Sequence, residues 1–371
     1  MRIKHYIELL RRMDWWLFAT IVALMVISVC FIYSASYRGP GQPMPHYYRM
    51  QMIWFGIGLA VYLVAALVDY RVVCQWAPVW YTMAIGALVL VLVAGTKVYG
   101  ARRWLGWGSF GIQPSEIAKL AVILAVSYYL FHRPPETRRQ WRTVAAVLAL
   151  TGLPLALIVV QPDLGSAMVL VPICLTLMFA AGVRVKHLAV VVAIGLALAP
   201  LGWMQLKDYQ KARLTVFMNP NKDPLGAGWN LNQSLIAVGS GGFTGKGYLR
   251  GTQNLLGYLP RTVAPNDFLF SVIAEETGFV GGLCVVGLYA ILFLRVLRIA
   301  GEARDRLGSL LATGVVVMLF FHVFINIGMT IGLMPIKGLP LPLLSHGGSF
   351  VLATMTALGL VQSVWIYRRV Y

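Results

Sequence analysis

The sequence predicts an all-α integral membrane protein: a single polytopic domain over residues 1–371, built as a bundle of about ten transmembrane helices with one long extracytoplasmic loop at 206–267. Three observations predict it. Of the 371 residues 59% are hydrophobic and 12% charged, and the mean hydropathy is +0.74, beyond what a soluble domain of this size shows. Apolar runs of about 17 to 25 residues, the length a bilayer demands, recur along the whole chain. Within these runs apolar residues are continuous rather than alternating, which favours a helical bundle over a lipid-facing barrel.

The first span, 15–36, follows Arg2, Lys4, Arg11 and Arg12 and ends on the small residues Ser34, Ala35 and Ser36, a layout shared with cleaved signal peptides. Its apolar core of about 19 residues is too long for a signal sequence, so it is read as a helix. The next two spans are 51–68 and 77–95. The fourth, 113–131, opens with "QPSEIAK" and carries Glu116 and Lys119. Spans five and six, 143–160 and 164–182, are separated by "QPD", where Asp163 is placed to cap the following helix. Span seven, 187–205, leads into the long loop, and span eight, 268–294, follows Asp267. Spans nine and ten are 308–332 and 346–367.

Orientation follows from charge. The net charge of +18 does not mark a nucleic-acid protein, because Lys and Arg are spread over loops instead of gathering in one soluble module. If the N-terminus is cytoplasmic, the short inner loops and tails hold seventeen Lys and Arg, including Arg71, Arg139, Lys186, Arg298 and Arg368, while the short outer loops hold six: Arg38, Arg49, Lys97, Arg102, Arg103 and Lys337. Both termini are therefore expected inside. The four cysteines, Cys30, Cys74, Cys174 and Cys284, form no CxxC and have no nearby His at metal-ligand spacing, so neither a disulfide framework nor a zinc site is expected.

The polar residues kept within or beside the spans are the candidates for function, since each is costly there. Glu116 and Lys119, at i, i+3, share a helical face and can pair, either to lock helices together or to line an internal cavity. Asp267, in "APNDFLFSVIAEETGFVGG", is either an N-cap of the eighth span or a working carboxylate. Glu275 and Glu276 lie about 12 to 14 Å further along a continuous helix and cannot form a close carboxylate pair with it. His346, beside Gly347 and Gly348, opens the last span, where free N–H groups would hold an anion or merely form a turn. His322 reads as a satisfied core histidine and is left unassigned. The long loop carries "NPNKDPLGAGWN" and "GSGGFTGKGYLRG", glycine-dense stretches suited to tight turns and close backbone approach, and its interleaved Trp229, Phe243, Tyr248 and Leu255 argue for a packed, ligand-facing loop over a solvated tether.

Together, "GARRWLGWGSFGIQPSEIAKLA", "QPDLGSAMVL", "RLTVFMNPNKDPLGAGWNLNQSLIAVGSGGFTGKGYLRGTQ", "DFLFSVIAEETGFVGG" and "GLPLPLLSHGGSF", in this order over nearly the whole chain, resemble the SEDS proteins of cell shape, elongation, division and sporulation, and within them the RodA-type branch. The resemblance implies a bacterial inner-membrane peptidoglycan glycosyltransferase that polymerises lipid II on the outer face, with a class B penicillin-binding protein as partner. It implies that Asp267 matches the family's essential Asp, and that Glu116 and Lys119 match its intramembrane pair. The chain departs from the family before Asp267: Pro260, Arg261 and a stretch longer by two residues ending in Asn266 replace the usual Pro-Glu, two residues, Thr-Asp.

For that activity the chemistry is economical. Lipid II is an α-linked sugar pyrophosphate and the polymer is β-linked, so one displacement inverts the anomeric centre and one base suffices to take the proton of the incoming GlcNAc 4-hydroxyl. The close carboxylate pair of a retaining glycosidase is unnecessary. Pyrophosphate needs cations and N–H donors rather than a general acid. Arg102, Arg103, Arg213, Lys246, Arg250 and Arg261 are the available outer-face cations, with Arg213 and Lys119 foremost; a divalent cation would share that task, but no ligand cluster stands out. Two other classes fit the same composition: a lipid II flippase or other membrane transporter, and a scaffold that recruits the partner through its helices.

Overall fold

The computed structural model describes residues 2–37, 39, 46–98, 101–106, 111–205, 208–219, 223, 226, 228–260 and 262–368. A short helix α1 (Arg2–Arg11) precedes α2 (Trp15–Ser36), α3 (Tyr47–Leu67), α4 (Tyr70–Gln75) and α5 (Ala77–Ala94). A small antiparallel hairpin, β1 (Thr96–Val98) and β2 (Ala101–Trp104), leads to α6 (Pro114–Phe131), α7 (Pro135–Arg138), α8 (Trp141–Val160), α9 (Leu164–Ala180) and α10 (Val185–Gln205). The long loop contains α11 (Asp208–Met218), α12 (Trp229–Ser240) and α13 (Thr252–Leu255), and the chain closes with α14 (Leu269–Gly301), α15 (Arg306–Thr330) and α16 (Gly348–Tyr367).

Among the described residues nine helices are long and apolar enough to cross a membrane, and the 17-residue apolar α9 takes the place of the remaining expected span. The chain is thus an all-α multi-pass membrane protein, and the hairpin is its only departure from helix among the described elements. Four aspartates start helices: Asp14, Asp69, Asp163 and Asp305 accept from Leu17, Arg71, Ser166 and Gly308 backbone N–H at 2.9, 2.9, 3.3 and 2.8 Å. They satisfy donors that a helix start leaves open. The interior is formed by α6, α15 and α16, most of whose side chains are buried, whereas α10 stays mostly exposed along its length. Small residues allow α16 to lie close along α3: a Cβ on Gly359 would come within 2.6 Å of the Tyr62 carbonyl.

Two irregular segments shape the rest. α14 is broken at Gly278 (φ 68°, ψ −161°). The break strands the carbonyls of Glu275 and Glu276 and the N–H groups of Phe279 and Val280, and the glycine-dense segment of the long loop supplies all four partners. Lys246 and Gly247 N–H donate to Glu275 and Glu276 O at 3.1 and 2.9 Å, while Phe279 and Val280 N–H donate to Gly242 and Phe243 O at 2.9 and 3.2 Å. The close approach expected of those glycines is therefore to the α14 backbone: a Cβ on Gly245 (φ 81°) would sit 2.2 Å from Glu276 O.

The second segment is 331–347, between α15 and α16. It folds back into the bundle with Leu339, Leu341, Leu343, Leu344 and Ser345 all buried. Side chains of the spans reach its carbonyls, as described below.

Candidate functional site

Asp267 ends a turn whose N–H donates to Val263 O at 2.8 Å, one residue short of the α14 N-cap. That cap is Phe268, with no side-chain cap bond, so Asp267 is not a capping residue. Its backbone carbonyl accepts from Asn326 Nδ2 at 2.9 Å, and the same amide nitrogen donates to Leu339 O at 2.7 Å, so one side chain of α15 ties Asp267 to the segment 331–347. The carboxylate itself is half-buried and lies against Gly338, where a Cβ would come 3.3 Å from Oδ2 and where φ is +60°. Burial pushes the Asp267 carboxyl up to about 6, opposed by the positive charge of Arg213.

Next to it opens a small pocket lined by Arg103, Asp163, Gly165, Gln210, Arg213 and Lys337. Arg103 is held by donation from Nε to Gln161 O at 3.1 Å and from Nη2 to Pro162 O, and its Nη1 lies 4.0 Å from Asp163 Oδ1. Asp163 caps α9 as its place in the sequence predicts, and its other oxygen accepts from Gln113 Nε2 at 3.1 Å and Ser115 Oγ at 3.2 Å, joining the starts of α6 and α9. Lys337 is pushed down chiefly by burial and further by the nearby positive charge of Arg213. Three cations thus line a pocket in which the carboxylate of Asp163 already accepts from three donors and pairs with Arg103. Such an arrangement attracts an anion with several oxygens.

The structure brings together only part of the expected site. Arg103 and Arg213 line the pocket beside Asp267. Arg102, adjacent on β2 and so facing the opposite side, donates to Leu92 and Val93 O at 3.2 and 3.1 Å. Lys246 is neutralised by Glu275 at 2.6 Å and donates to Thr252 Oγ1 at 2.7 Å. Arg250 is exposed on the same loop, and Arg261 lies outside the described residues. Glu116 and Lys119 pair at 2.8 Å with side-chain exposures of 4% and 1%, and Lys119 Nζ also lies 2.7 Å from His322 Nε2. His346 and the start of α16 are engaged within the protein: Gln51 Oε1 faces His346 Nδ1 at 3.1 Å and Gly347 N–H at 3.4 Å. Among the described residues no three His, Cys, Asp or Glu side chains gather as metal ligands, and all four cysteines are free thiols.

Lys337, Gln210 and Asn326 were missed. For Lys337 a signal exists in the sequence: it is a charge in the otherwise apolar "GLMPIKGLPLPLL".

Residues 14–370 match the family model of the FtsW/RodA/SpoVE cell cycle proteins. The peptidoglycan glycosyltransferase RodA of Treponema pallidum is 36% identical, covering 95% of this chain and 97% of its own length. The peptidoglycan glycosyltransferase MrdB of Escherichia coli K12 is 39% identical over 94% and 92%. Among solved structures, a chain described under the structural coordination of polymerization and crosslinking by a peptidoglycan synthase complex superposes with a TM-score of 0.81 at 31% identity, covering 97% of this chain and 99% of that one. The Thermus thermophilus rod shape determining protein RodA superposes at 0.71, with 31% identity and coverage of 96% and 98%.

The electrostatics of Asp267 make a testable statement. Its carboxyl is expected to titrate near pH 6, read as the carboxyl stretch lost from infrared difference spectra in Asp267→Asn. Since Arg213 opposes the effect of burial, Arg213→Gln should move that titration to higher pH. Titration near 4, or no response to Arg213→Gln, contradicts the geometry described.

Proposed function

The chain belongs to the FtsW/RodA/SpoVE family of cell cycle proteins, and from that premise we propose that it is a peptidoglycan glycosyltransferase that polymerises lipid II with inversion, using Asp267 as general base. The observation that carries the proposal is a carboxylate spared from helix capping, partly desolvated, beside a pocket of three cations. Desolvation strengthens Asp267 as a base and brings its pKa toward the working pH, where proton acceptance is most effective. Asp267 accepts the proton of the incoming GlcNAc 4-hydroxyl as the oxygen attacks the anomeric carbon. The bond to the lipid pyrophosphate breaks on the opposite face, and the leaving charge is held by Arg103, Arg213 and Lys337. Glu116 and Lys119, paired and buried next to the start of α9, are proposed to act on the same substrate group.

The site's orientation follows from the charge asymmetry of the short loops, which supports cytoplasmic termini and an outward-facing loop 206–267. In a background with Cys30 and Cys284 replaced by Ser, single cysteines at Arg139 and Arg250, both exposed, should label from opposite sides of the membrane. Labelling of both by an impermeant reagent added outside intact cells would overturn this topology. A class B penicillin-binding protein is the proposed partner, docking through its single span on the exposed faces of α14 and α15, and co-purification from native membranes checks it.

Asp267→Asn keeps the side chain's size and removes only proton acceptance. With purified protein and labelled lipid II, glycan synthesis should fall by about 10² to 10⁴, the usual contribution of a positioned base, while lipid II binding persists. Synthesis at the parent rate would be incompatible with the proposal. A parent protein that moves lipid II across vesicle membranes and makes no polymer would establish a flippase instead.

A further inference from the structure

His322 is fully buried on α15, and its ring bridges two systems far apart in sequence. Its Nε2 faces Lys119 Nζ at 2.7 Å, and its Nδ1 faces Pro340 O at 3.3 Å. The partners assign the tautomer. A carbonyl only accepts, so Nδ1 carries the proton; an ammonium only donates, so Nε2 is bare. The result is a directed chain in which Lys119, already paired with Glu116, donates to His322, and His322 donates to the segment 331–347.

That segment carries parts of the candidate site. Lys337 lines the cationic pocket, Gly338 abuts the Asp267 carboxylate, and Leu339 O is held by Asn326, which also holds Asp267 O. His322 and Asn326 lie one helical turn apart on α15 and grip successive carbonyls, those of Pro340 and Leu339. Pro340 has no N–H of its own, so its carbonyl is the only backbone group at that position by which the segment can be fixed.

We propose that His322 is a positioning residue: its Nδ1–H holds Pro340 so that Lys337 and Gly338 keep their places beside Asp267, and the Glu116–Lys119 pair serves this by locking the His322 tautomer. This rests on the glycosyltransferase reading above. A buried Glu–Lys–His chain costs more desolvation than apolar packing of the same volume. Such a cost is in keeping with an arrangement that fixes a conformation.

Two conservative variants separate its two bonds. His322→Gln places an acceptor near the Nε2 position, leaving Lys119 satisfied, but offers no donor at Nδ1. His322→Asn places an amide N–H near the Nδ1 position. In a lipid II polymerisation assay, His322→Gln should lower kcat roughly 10- to 100-fold, the usual cost of a displacement of about 1 Å at a reacting site. KM for lipid II and the melting temperature should stay close to the parent, and His322→Asn should recover most of the lost kcat. Parent kcat in His322→Gln overturns the proposal. Loss of activity in both variants in step with a lowered melting temperature overturns it too, because it makes His322 merely structural. The parent and Asp267→Asn, run alongside, separate the failures: a parent that makes no polymer sinks the glycosyltransferase reading itself, parent rates in Asp267→Asn sink only the role of Asp267 as base, and a dead Asp267→Asn with an unaffected His322→Gln sinks only the role of His322.

Discussion

The structure depends on satisfying the backbone of residues 338–347, a segment that enters the bundle without helical pairing. Away from water an unpaired carbonyl costs several kcal/mol, so each one needs a donor from the surrounding spans. Asn326 serves Leu339, His322 serves Pro340, Tyr289 Oη serves Pro342, Ser28 serves Leu344 and Gln51 serves Ser345. These donors come from α2, α3, α14 and α15. Pro340 and Pro342 lower the demand for acceptors by having no N–H, and the Ser345 hydroxyl accepts from Leu341 N–H at 2.9 Å within the segment. Polar residues scattered through apolar helices are thus the fixed points on which one irregular segment hangs.

The break in α14 obeys the same requirement with a different solution. There the backbone of the long loop itself supplies the missing partners, and glycines at 241, 245 and 278 permit the contact. The 331–347 segment meets the Asp267 carboxylate, and the helical turn leading to the break carries Glu275, whose charge is absorbed by Lys246. The consequence is an asymmetric distribution of charge. Lys246 on the loop over α14 is neutralised by Glu275, while Arg103, Arg213 and Lys337 share the lining of the pocket with Asp163.

Hydropathy reveals the spans because bilayer thickness constrains every residue of a run, and Asp163 betrays its capping role by its position between two of them. The hairpin at 96–104 escapes, since strands of three and four residues are too short to set up a periodicity. That omission carries a cost at the site. Arg102 and Arg103 are indistinguishable as neighbouring cations until the strand turns them to opposite sides. Lys246 and Arg103 likewise look equivalent in sequence, and only the fold gives Lys246 its carboxylate. Asp267 was readable because a carboxylate at the mouth of an apolar run demands an explanation. His322 was not: Lys119 lies 203 positions away, and nothing local to either residue announces the contact.

Asp267 and the pocket of Arg103, Arg213 and Lys337 are proposed to form one reaction site. A structure of Asp267→Asn with lipid II bound tests it most directly. The expected result is a pyrophosphate among those three cations and a GlcNAc 4-hydroxyl within hydrogen-bond reach of the side chain at 267, roughly 2.6 to 3.2 Å. A pyrophosphate seated instead against Arg102, Lys246 or Arg250, with no sugar hydroxyl near position 267, would contradict it.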